Sequence, residues 1–536
     1  MQILSASNNV RVVGVAADAP AFATETAYAK LYRNVATSNS YPVAVADGAE
    51  FTKMTFKKLS GTLPSGLKVS WDSEANALLV SGVAKAKAGV YNPVYQVEQV
   101  SGSKRKAGLT LALTIEVVDP FVPVVDDETG EAVPSVFAKS RTFKDIPVFN
   151  MTESTLVGTL QLTMSSTGKT SAKLLSADGA ISFSSSSWVD VQIEDGSYKS
   201  FVALLTSRTK GYLMVLQANV DGSFDVLMMN PENEPLKAQC DGNLWSKANK
   251  ADAWKGYYTV ALRNEGVVEG AERPEIAPKG HGYLTLKMTS SSAFNTGKVT
   301  WAGMLPNGTA VSGSSTLQKV ADDECNWGRL PIFRTSSKDI LAGVVKINSD
   351  ALKNKEESGN CQAVFKDVAD FRWSHYEKAL NSYYDILFDV YGGIYDSGDS
   401  LLQAWDSNYS GLTPNIVFDR ELAVTLDKNS LDSKIAISGE NNYSATISIS
   451  RSTGIVSGSV KVPYQDEDGN VKTYSAKYKG VVLIGWGPGC GCTDTVVDVP
   501  LPFMSGAYYY ADTFKTDSGK SVKVNVGSSA EITTVE

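Results

Sequence analysis

The stretch "GYLTLKMTSSSAFNTGKVTWAGMLPNGTAVSGS" (282–314) decides the fold class. Apolar and polar residues alternate in three short runs, a period of two that is typical of half-buried β-strands. Small hydroxyl residues and Gly297 separate the first two runs, and Asn307-Gly308 separates the second from the third. Because Asn-Gly tolerates the positive φ angles of a two-residue hairpin, the stretch predicts a three-stranded antiparallel meander.

Two further stretches repeat this order of strands and turns. Residues 158–184 also begin Gly-x-Leu-x-Leu-x-Met and place an Asp-Gly turn before the last strand, and residues 444–483 form a weaker copy. The irregular spacing of the copies indicates duplication with insertions and not a short-period solenoid. One meander buries one face and leaves open edges, so we expect the copies to close into sandwiches or partly closed barrels.

The composition agrees with a multidomain globular β-protein and excludes several functional classes. The 536 residues are 43% hydrophobic and 20% charged, with a net charge of -8. Basic residues cluster only at 102–108, which is too few to form the basic face that nucleic-acid phosphates need. No window approaches the roughly 18 uninterrupted apolar residues of a membrane-spanning helix. The sequence therefore predicts neither nucleic-acid binding nor a transmembrane segment.

The N-terminal part carries its own set of turn signals. The segments "LPSGL" (63–67), Ser81-Gly82 and "AGVY" (88–91) are followed by an alternating strand that Pro120 ends. The proline presets φ, and the glycines permit the turn geometries. This pattern resembles the immunoglobulin-like domains of bacterial surface proteins, which implies a β-sandwich that acts as a spacer or adhesive module.

The repeated meanders are similar to a strand unit of very large bacterial surface proteins that also carry such immunoglobulin-like domains. Residues 282–314 match that unit best, and residues 254–262 and 478–487 resemble its closing strands. The resemblance implies an extracellular or cell-surface location and a repeated β architecture. It implies no defined activity.

The predicted fold class is all-β, with an immunoglobulin-like sandwich followed by duplicated antiparallel β-meander or barrel-like domains. Segment 320–440 keeps no clean helical period, and we interpret it as a long decorated loop. The predicted boundaries are an N-terminal extended segment (1–36), an immunoglobulin-like domain (37–119), a linker (120–149), a first β-meander domain (150–270), a second, larger β domain with an insertion at 320–440 (271–500), and C-terminal strands or a tail (501–536).

The first residues do not follow the pattern of a secretory signal peptide, because a charged region followed by an apolar region is missing. This favours a processed or excised piece, another export route, or retention inside the cell. An extended apolar segment can add a strand to the sheet of a neighbouring molecule, and we expect residues 1–36 to do so.

No pattern typical of catalysis or cofactor binding occurs in the sequence. A phosphate-binding loop, a dinucleotide fingerprint and a zincin helix are all missing. A serine triad would need one of the two histidines, His281 or His375, and neither is accompanied by a Gly-x-Ser-x-Gly elbow. We therefore predict that the protein is not an enzyme and has no cofactor.

Aromatic and acidic residues are interleaved at 383–405, which favours a carbohydrate as an alternative ligand. Sugar faces stack on aromatic rings while carboxylates accept hydrogen bonds from hydroxyl groups. A carbohydrate-binding module or a glycoside hydrolase would use this region, although sequence alone does not set the separation of two carboxyl groups. The candidate glycan contacts are Tyr391, Tyr395, Asp396, Asp399 and Trp405.

The five cysteines are too few for a disulfide scaffold. Cys325 and Cys361 are a candidate pair, and Cys490 and Cys492 in "GWGPGCGC" are candidates for a bridge with each other or with Cys240. One intervening residue does not fit the Cys-x-x-Cys redox motif, and two thiols supply only half of a structural zinc site. The sequence thus predicts disulfides in a secreted protein and no metal site.

These observations predict a non-enzymatic, extracellular structural or adhesive protein. It would be a self-assembling cell-surface or appendage subunit whose partners are copies of itself or neighbouring surface proteins. The carbohydrate-binding protein or glycoside hydrolase is one alternative. A viral or phage structural protein is the other, because the first residues lack a signal peptide.

Overall fold

A computed structural model describes most of the chain. The described residues are 21–33, 36–44, 53–101, 104–118, 124–125, 132–133, 140–165, 169–185, 189–192, 199–207, 211–219, 223–268, 274–319, 327–349, 362–367, 369–418, 422–465, 468–483, 503–516 and 518–534. They divide into two compact units, the first within Met1–Thr142, Leu162–Lys173 and Ile181–Asn233, the second within Phe143–Gln161, Leu174–Ala180 and Glu234–Glu536.

An immunoglobulin-like β-sandwich opens the first unit. Its two sheets have the strand orders β1-β3-β6-β5 and β2-β9-β8-β4, and β7 pairs with β9. Alternate side chains of the long strand β9, such as Leu111, Leu113 and Ile115, lie in the core between the sheets. The strands are β1 Ala21–Phe22, β2 Thr26–Tyr32, β3 Ala36–Ala44, β4 Lys53–Ser60, β5 Leu67–Asp72, β6 Ala77–Val83, β7 Gly89–Tyr91, β8 Val94–Ser101 and β9 Lys104–Val118.

Two glycines explain the turn signals of the sandwich. Gly66 and Gly82 both adopt positive φ, and a Cβ at Gly82 would lie 2.4 Å from the carbonyl oxygen of Gly66. The two backbones therefore approach each other more closely than any other residue type would allow. This close approach sets the start of β5 against the end of β6, where Leu67 pairs with Gly82.

The predicted N-terminal segment 1–36 contains a strand of the sandwich itself. β2 pairs in parallel with β9, from Thr26 opposite Ala112 to Tyr32 opposite Val118. These residues therefore have a partner within the same sandwich, and because β2 is an edge strand, donation of a strand to a neighbouring molecule stays a prediction. Residues 1–20 lie outside the described part of the chain.

The predicted linker 120–149 also contains strands. Strands β10 (Val124–Val125) and β11 (Ala132–Val133) pair with each other, and β12 begins at Arg141. Strands β12 to β20 belong to one sheet, which an additional pairing of β15 with β17 makes barrel-like. They are β12 Arg141–Asn150, β13 Leu156–Met164, β14 Thr170–Ser176, β15 Gly179–Ser185, β16 Val189–Gln192, β17 Lys199–Thr206, β18 Leu213–Ala218, β19 Phe224–Met229 and β20 Pro235–Cys240.

A ten-stranded sheet forms the main core of the second unit. Its order is β24-β23-β22-β21-β30-β28-β27-β26-β25, and β29 pairs with both β27 and β30. The strands are β21 Gly256–Val267, β22 Gly282–Met288, β23 Lys298–Met304, β24 Ala310–Thr316, β25 Gln318–Lys319, β26 Trp327–Thr335, β27 Asp339–Asn348, β28 Gln362–Lys366, β29 Phe371–Glu377 and β30 Ser382–Ile394.

Our interpretation of 320–440 as a decorated loop was wrong. Strands β26 to β30 are integral to the ten-stranded sheet, and β30 lies directly beside β21. Periodicity was masked because several of these strands bury residues on both faces, as in β27 from Leu341 to Val345. A strand covered on both sides reads as a continuous apolar run and is not distinguished from a buried helix by periodicity alone.

A seven-stranded sheet, in the order β32-β31-β37-β36-β35-β34-β33, completes the second unit. Of the two alternatives for 501–536, strands or a tail, the structure shows strands, because β36 and β37 are interior strands with partners on both sides. The strands are β31 Asn415–Phe418, β32 Leu422–Thr425, β33 Thr446–Ser450, β34 Ile455–Gln465, β35 Val471–Val482, β36 Met504–Lys515 and β37 Ser521–Thr533.

Helices in the described part of the chain are short. The α-helices are α1 Ser291–Phe294 and α2 Leu401–Asn408, and the 3-10 helices are Asp252–Trp254, Pro274–Ile276 and Lys428–Ser430. The all-β fold class is confirmed.

The three repeated stretches form three meanders. β13-β14-β15, β22-β23-β24 and β33-β34-β35 are runs of adjacent strands, and the Asp-Gly and Asn-Gly turns place Gly179, Gly308 and Gly469 at positive φ. The copies differ in the partner of their last strand. β35 of the third copy pairs onward with β36 and β15 of the first copy pairs with β17, whereas β24 of the second copy lies at the end of the sheet order.

Candidate functional site

The aromatic rings predicted to contact a glycan are buried. Tyr391 and Tyr395 are each 4% exposed, and Trp405 is fully buried. The Trp405 ring stacks on Tyr409 at a centroid distance of 4.4 Å, and its Nε1 donates to the carbonyl of Leu412 at 3.0 Å. Burial of these rings contradicts the prediction that they form a surface on which sugars stack.

Strand β30 shows why Tyr391 is buried although it was predicted to contact a glycan. Its odd-numbered residues point away from the main core, so at one end of the strand Tyr383 is exposed and Asp385 is half-buried. Tyr391 lies on the same outward face, but there it belongs to a buried cluster with Val481 of β35 and Leu483, which follows that strand. The alternation predicts the face of each side chain, and only the packing of the second sheet decides its exposure.

The two predicted acidic contacts shape a turn. Asp396 is exposed, and its Oδ1 accepts a hydrogen bond from the Gly398 backbone at 2.9 Å. The carbonyl of Asp399 accepts from the Arg451 guanidinium at 2.5 Å. Asp396 and Asp399 therefore shape the loop that enters α2, and they do not meet the buried rings in a sugar-binding cleft.

A network of hydrogen bonds and an ion pair surrounds the start of helix α2, and the sequence analysis did not predict it. The Asp432 carboxylate accepts from the Ser400 hydroxyl and from the Leu401 backbone N–H, and it pairs with Arg451 at 2.8 Å. Burial raises the pKa of Asp432, but these donors outweigh it and hold the pKa below its ordinary value. A carboxylate of the same chain thus occupies the positive end of the helix dipole.

His375 lies between two carboxylates on the inner face of the β29–β30 hairpin. Its Nδ1 is 2.8 Å from Asp339 Oδ1, and its Nε2 is 3.6 Å from Glu377 Oε2. Asp339 Oδ1 also accepts a hydrogen bond from Trp373 Nε1 at 3.0 Å. Both ring nitrogens face acidic groups, so the geometry does not leave one free to activate a hydroxyl nucleophile.

His281 is held in one tautomer by the backbone. Its Nδ1 accepts from the Asn264 N–H at 3.0 Å, and its Nε2 lies 3.2 Å from Glu531 Oε1. In a serine triad one ring nitrogen faces the acid and the other faces the nucleophile. Here a backbone amide takes the position of the nucleophile, so His281 connects a loop to β37 instead.

Cys240 is a buried free thiol at the end of β20. Burial raises the pKa of this thiol to about 12, so it is protonated at neutral pH and does not react readily. Cys240 is a free thiol in this structure, so the alternative that bridges it to Cys490 or Cys492 is not supported. Cys325, Cys361, Cys490 and Cys492, together with the "GWGPGCGC" stretch, lie outside the described residues.

An exposed apolar surface on the first unit was missed by sequence reasoning. Leu204, Val215 and Leu227 lie directly opposite one another on β17, β18 and β19, and Leu213 pairs with Met229 in the next outward row. Exposed fractions are 60% for Leu204, 51% for Leu227, 50% for Leu213 and 38% for Met229. We call these five residues the β17–β19 apolar face.

A sequence signal for this face exists. The runs "LMVLQA" and "FDVLMM" are apolar at both odd and even positions, and strands of one-sided sheets alternate instead. Both faces of these strands are therefore apolar although only one, with residues such as Met214 and Leu216, is buried within the sheet.

In the described part of the chain, no helix is long and apolar enough to cross a membrane. Over the same residues, no three His, Cys, Asp or Glu side chains are grouped so that they could hold a metal ion.

Comparison with known proteins identifies no family. No family model and no curated protein matches the sequence. Among solved structures, the chain is similar to the crystal structure of the human desmocollin-1 ectodomain, with 11% sequence identity over 85% of this chain and 78% of that chain. The TM-score of this match is 0.15, which is too low to carry an argument about fold or function.

Proposed function

We propose that the protein is a non-enzymatic structural or adhesive subunit, outside the cell or at its surface, that associates with copies of itself through the β17–β19 apolar face. The exposure of this face is the observation that carries the proposal. The resemblance of segments 63–67 and 88–91 to domains of surface proteins supports the location.

The size and shape of the face suit a contact between subunits. Side chains of this kind and exposure leave on the order of 400 Å² of apolar surface, the size of the largest patch on a typical monomer, and such patches are often functional. A standard interface takes about 800 Å² from each partner. The face would supply the centre of such an interface, and its polar surroundings would supply the rim.

A polar rim lies next to the face on the same strands. Gln217 pairs with Asp225 one row beyond Val215 and Leu227. The Asn219 amide bonds to Asp225 Oδ2 at 3.0 Å and accepts from Gln217 Nε2 at 3.1 Å. An apolar centre bordered by ordered polar groups favours a second copy that docks in a defined register, because misplaced copies would bury these groups without partners.

The test is the oligomeric state of the purified chain. We expect sedimentation velocity to show concentration-dependent association of the wild type. The double variant Leu213→Asp, Leu227→Asp should remain monomeric, because two carboxylates at the centre of a dry contact lose hydration without gaining partners. The same change at another exposed apolar position, Val471→Asp, should leave association unchanged. A monomeric wild type, or a double variant that still associates, would contradict the proposal.

A further inference from the structure

The outward face of the β29–β30 hairpin carries an open pair of stacked tyrosines. Tyr376 and Tyr383 are directly opposite each other, with ring centroids 4.5 Å apart and planes inclined by 28°. Tyr383 is 62% exposed, while the Tyr376 hydroxyl donates to Asn381 Oδ1 at 2.7 Å. The Tyr376 ring therefore supports the Tyr383 ring, and much of Tyr383 remains open to solvent.

Polar groups follow the rings along the same face. The next outward pair is Ser374 with Asp385, and the one after it contains Arg372. The Arg372 guanidinium lies 3.8 Å from Asp385 Oδ2, and its buried Nε has no hydrogen-bond partner. Successive outward pairs are about 7 Å apart along a strand, so an aromatic ring, a carboxylate and a guanidinium line one short track.

The opposite face of the hairpin holds this track rigid. Trp373, Tyr384 and Ile386 are buried in the main core, and the Trp373 and Tyr384 rings meet edge to face at 5.5 Å. Asp339 ties the hairpin to β27 through His375 and Trp373. Because the hairpin is already rigid, binding would cost little conformational entropy. A low entropy cost is what allows measurable affinity on a shallow surface.

We propose that Tyr383, Asp385 and Arg372 form a binding site for a neutral hexopyranose of a glycan chain. The apolar face of the sugar stacks on the Tyr383 ring. Neighbouring hydroxyl groups each donate and accept, and the Asp385 carboxylate accepts from them while the Arg372 guanidinium donates to them. Because the charges of Asp385 and Arg372 balance, the site favours a neutral sugar over an anionic one.

This site replaces the one expected from sequence, and it does not depend on self-association. The proposal concerns binding alone and not hydrolysis. A protein that associates with itself and binds a sugar would be adhesive, whereas loss of sugar binding would leave the assembly intact.

The test is binding of the full chain to maltohexaose, cellohexaose, mannohexaose and galactohexaose, with polygalacturonate as the anionic comparison. We expect at least one neutral oligosaccharide to bind in titration calorimetry. Tyr383→Ala and Asp385→Asn should each raise its Kd by about tenfold or more, because truncation of a central aromatic contact costs this much.

The matched control is Tyr464→Ala, which removes another exposed tyrosine in contact with a second ring, far along the sequence, and should leave the Kd unchanged. Unchanged melting temperatures would show that the variants fold. No binding of any of the neutral sugars, or equal binding by wild type and Tyr383→Ala, would overturn the proposal. Sedimentation of the same samples separates this result from the test of self-association.

Discussion

Asp339 is a side chain whose charge is stabilised by its neighbours. Burial raises its pKa, but the hydrogen bonds from His375 and Trp373 outweigh burial and hold the pKa below the ordinary 3.8. The charged form is therefore favoured in the folded protein. Such a group contributes stability above its unfolded pKa, and that contribution is lost as the pH falls through the folded pKa.

We predict that the wild type loses stability as the pH falls below about 4 and that Asp339→Asn flattens this loss. At neutral pH the variant should be less stable by roughly 1–2 kcal/mol, since a charge-assisted hydrogen bond becomes a neutral one. Urea unfolding followed by tryptophan fluorescence across this pH range measures both effects. If the free energy of unfolding fell equally steeply at low pH in the variant, the role of Asp339 would be contradicted.

At the scale of elements, the hairpin turns of the repeat show how backbone conformation and packing each require glycine. Gly308 and Gly469 occupy equivalent turns in the second and third meanders and share positive φ angles of 86° and 82°. A Cβ at Gly308 would lie 2.7 Å from the Tyr509 ring, whereas a Cβ at Gly469 would meet nothing within 4 Å. The positive φ angle favours glycine at both positions. At Gly308 the Tyr509 ring also leaves no room for a side chain.

We predict that Gly469→Ala destabilises the protein by about 1 kcal/mol through backbone strain alone. Gly308→Ala should cost roughly 1–3 kcal/mol more, because the Tyr509 ring must also move. Thermal unfolding of the two variants compares the costs directly. Equal losses would mean that the ring adapts freely and that the contact in the structure does not constrain the turn.

At the scale of the whole molecule, bonds between distant residues hold the two sheets of the second unit together. The buried hydroxyl of Thr259 in β21 donates to the carbonyl of Val482 in β35 at 2.6 Å. The Tyr257 hydroxyl donates to the carbonyl of Thr453 at 3.1 Å. These bonds join sequence positions that no local pattern relates to one another.

We predict that Thr259→Val costs about 1–3 kcal/mol, because it keeps the shape of the side chain but leaves a buried carbonyl without its donor. The control is Thr300→Val, which removes a long 3.4 Å bond to the carbonyl of Lys287 at an exposed position of the same sheet. Its effect should be within about 0.5 kcal/mol of zero, as is usual for surface positions. Chemical unfolding of both variants checks the difference.

Strand positions and turns were largely predictable, because they depend on neighbours in the sequence. The alternation at 282–314 identified three strands, and Gly308 identified the hairpin between the last two. Region 320–440 was not predictable, since strands such as β27 are apolar on both sides and lose the period of two. The apolar runs of β18 and β19 carried a signal for an exposed apolar face that was not recognised.

Where apolar and polar residues alternate, the sequence by itself determined which residues form strands, where glycine turns reverse the chain, and which side chains share a face, because these depend on interactions within a few residues. Only the tertiary structure decided which faces are covered. Tyr383 and Tyr391 share one face of β30, yet the seven-stranded sheet buries Tyr391 and leaves Tyr383 open. Burial depends on contacts between residues about ninety positions apart, such as Tyr391 and Val481, and a strand's own period contains no information about them.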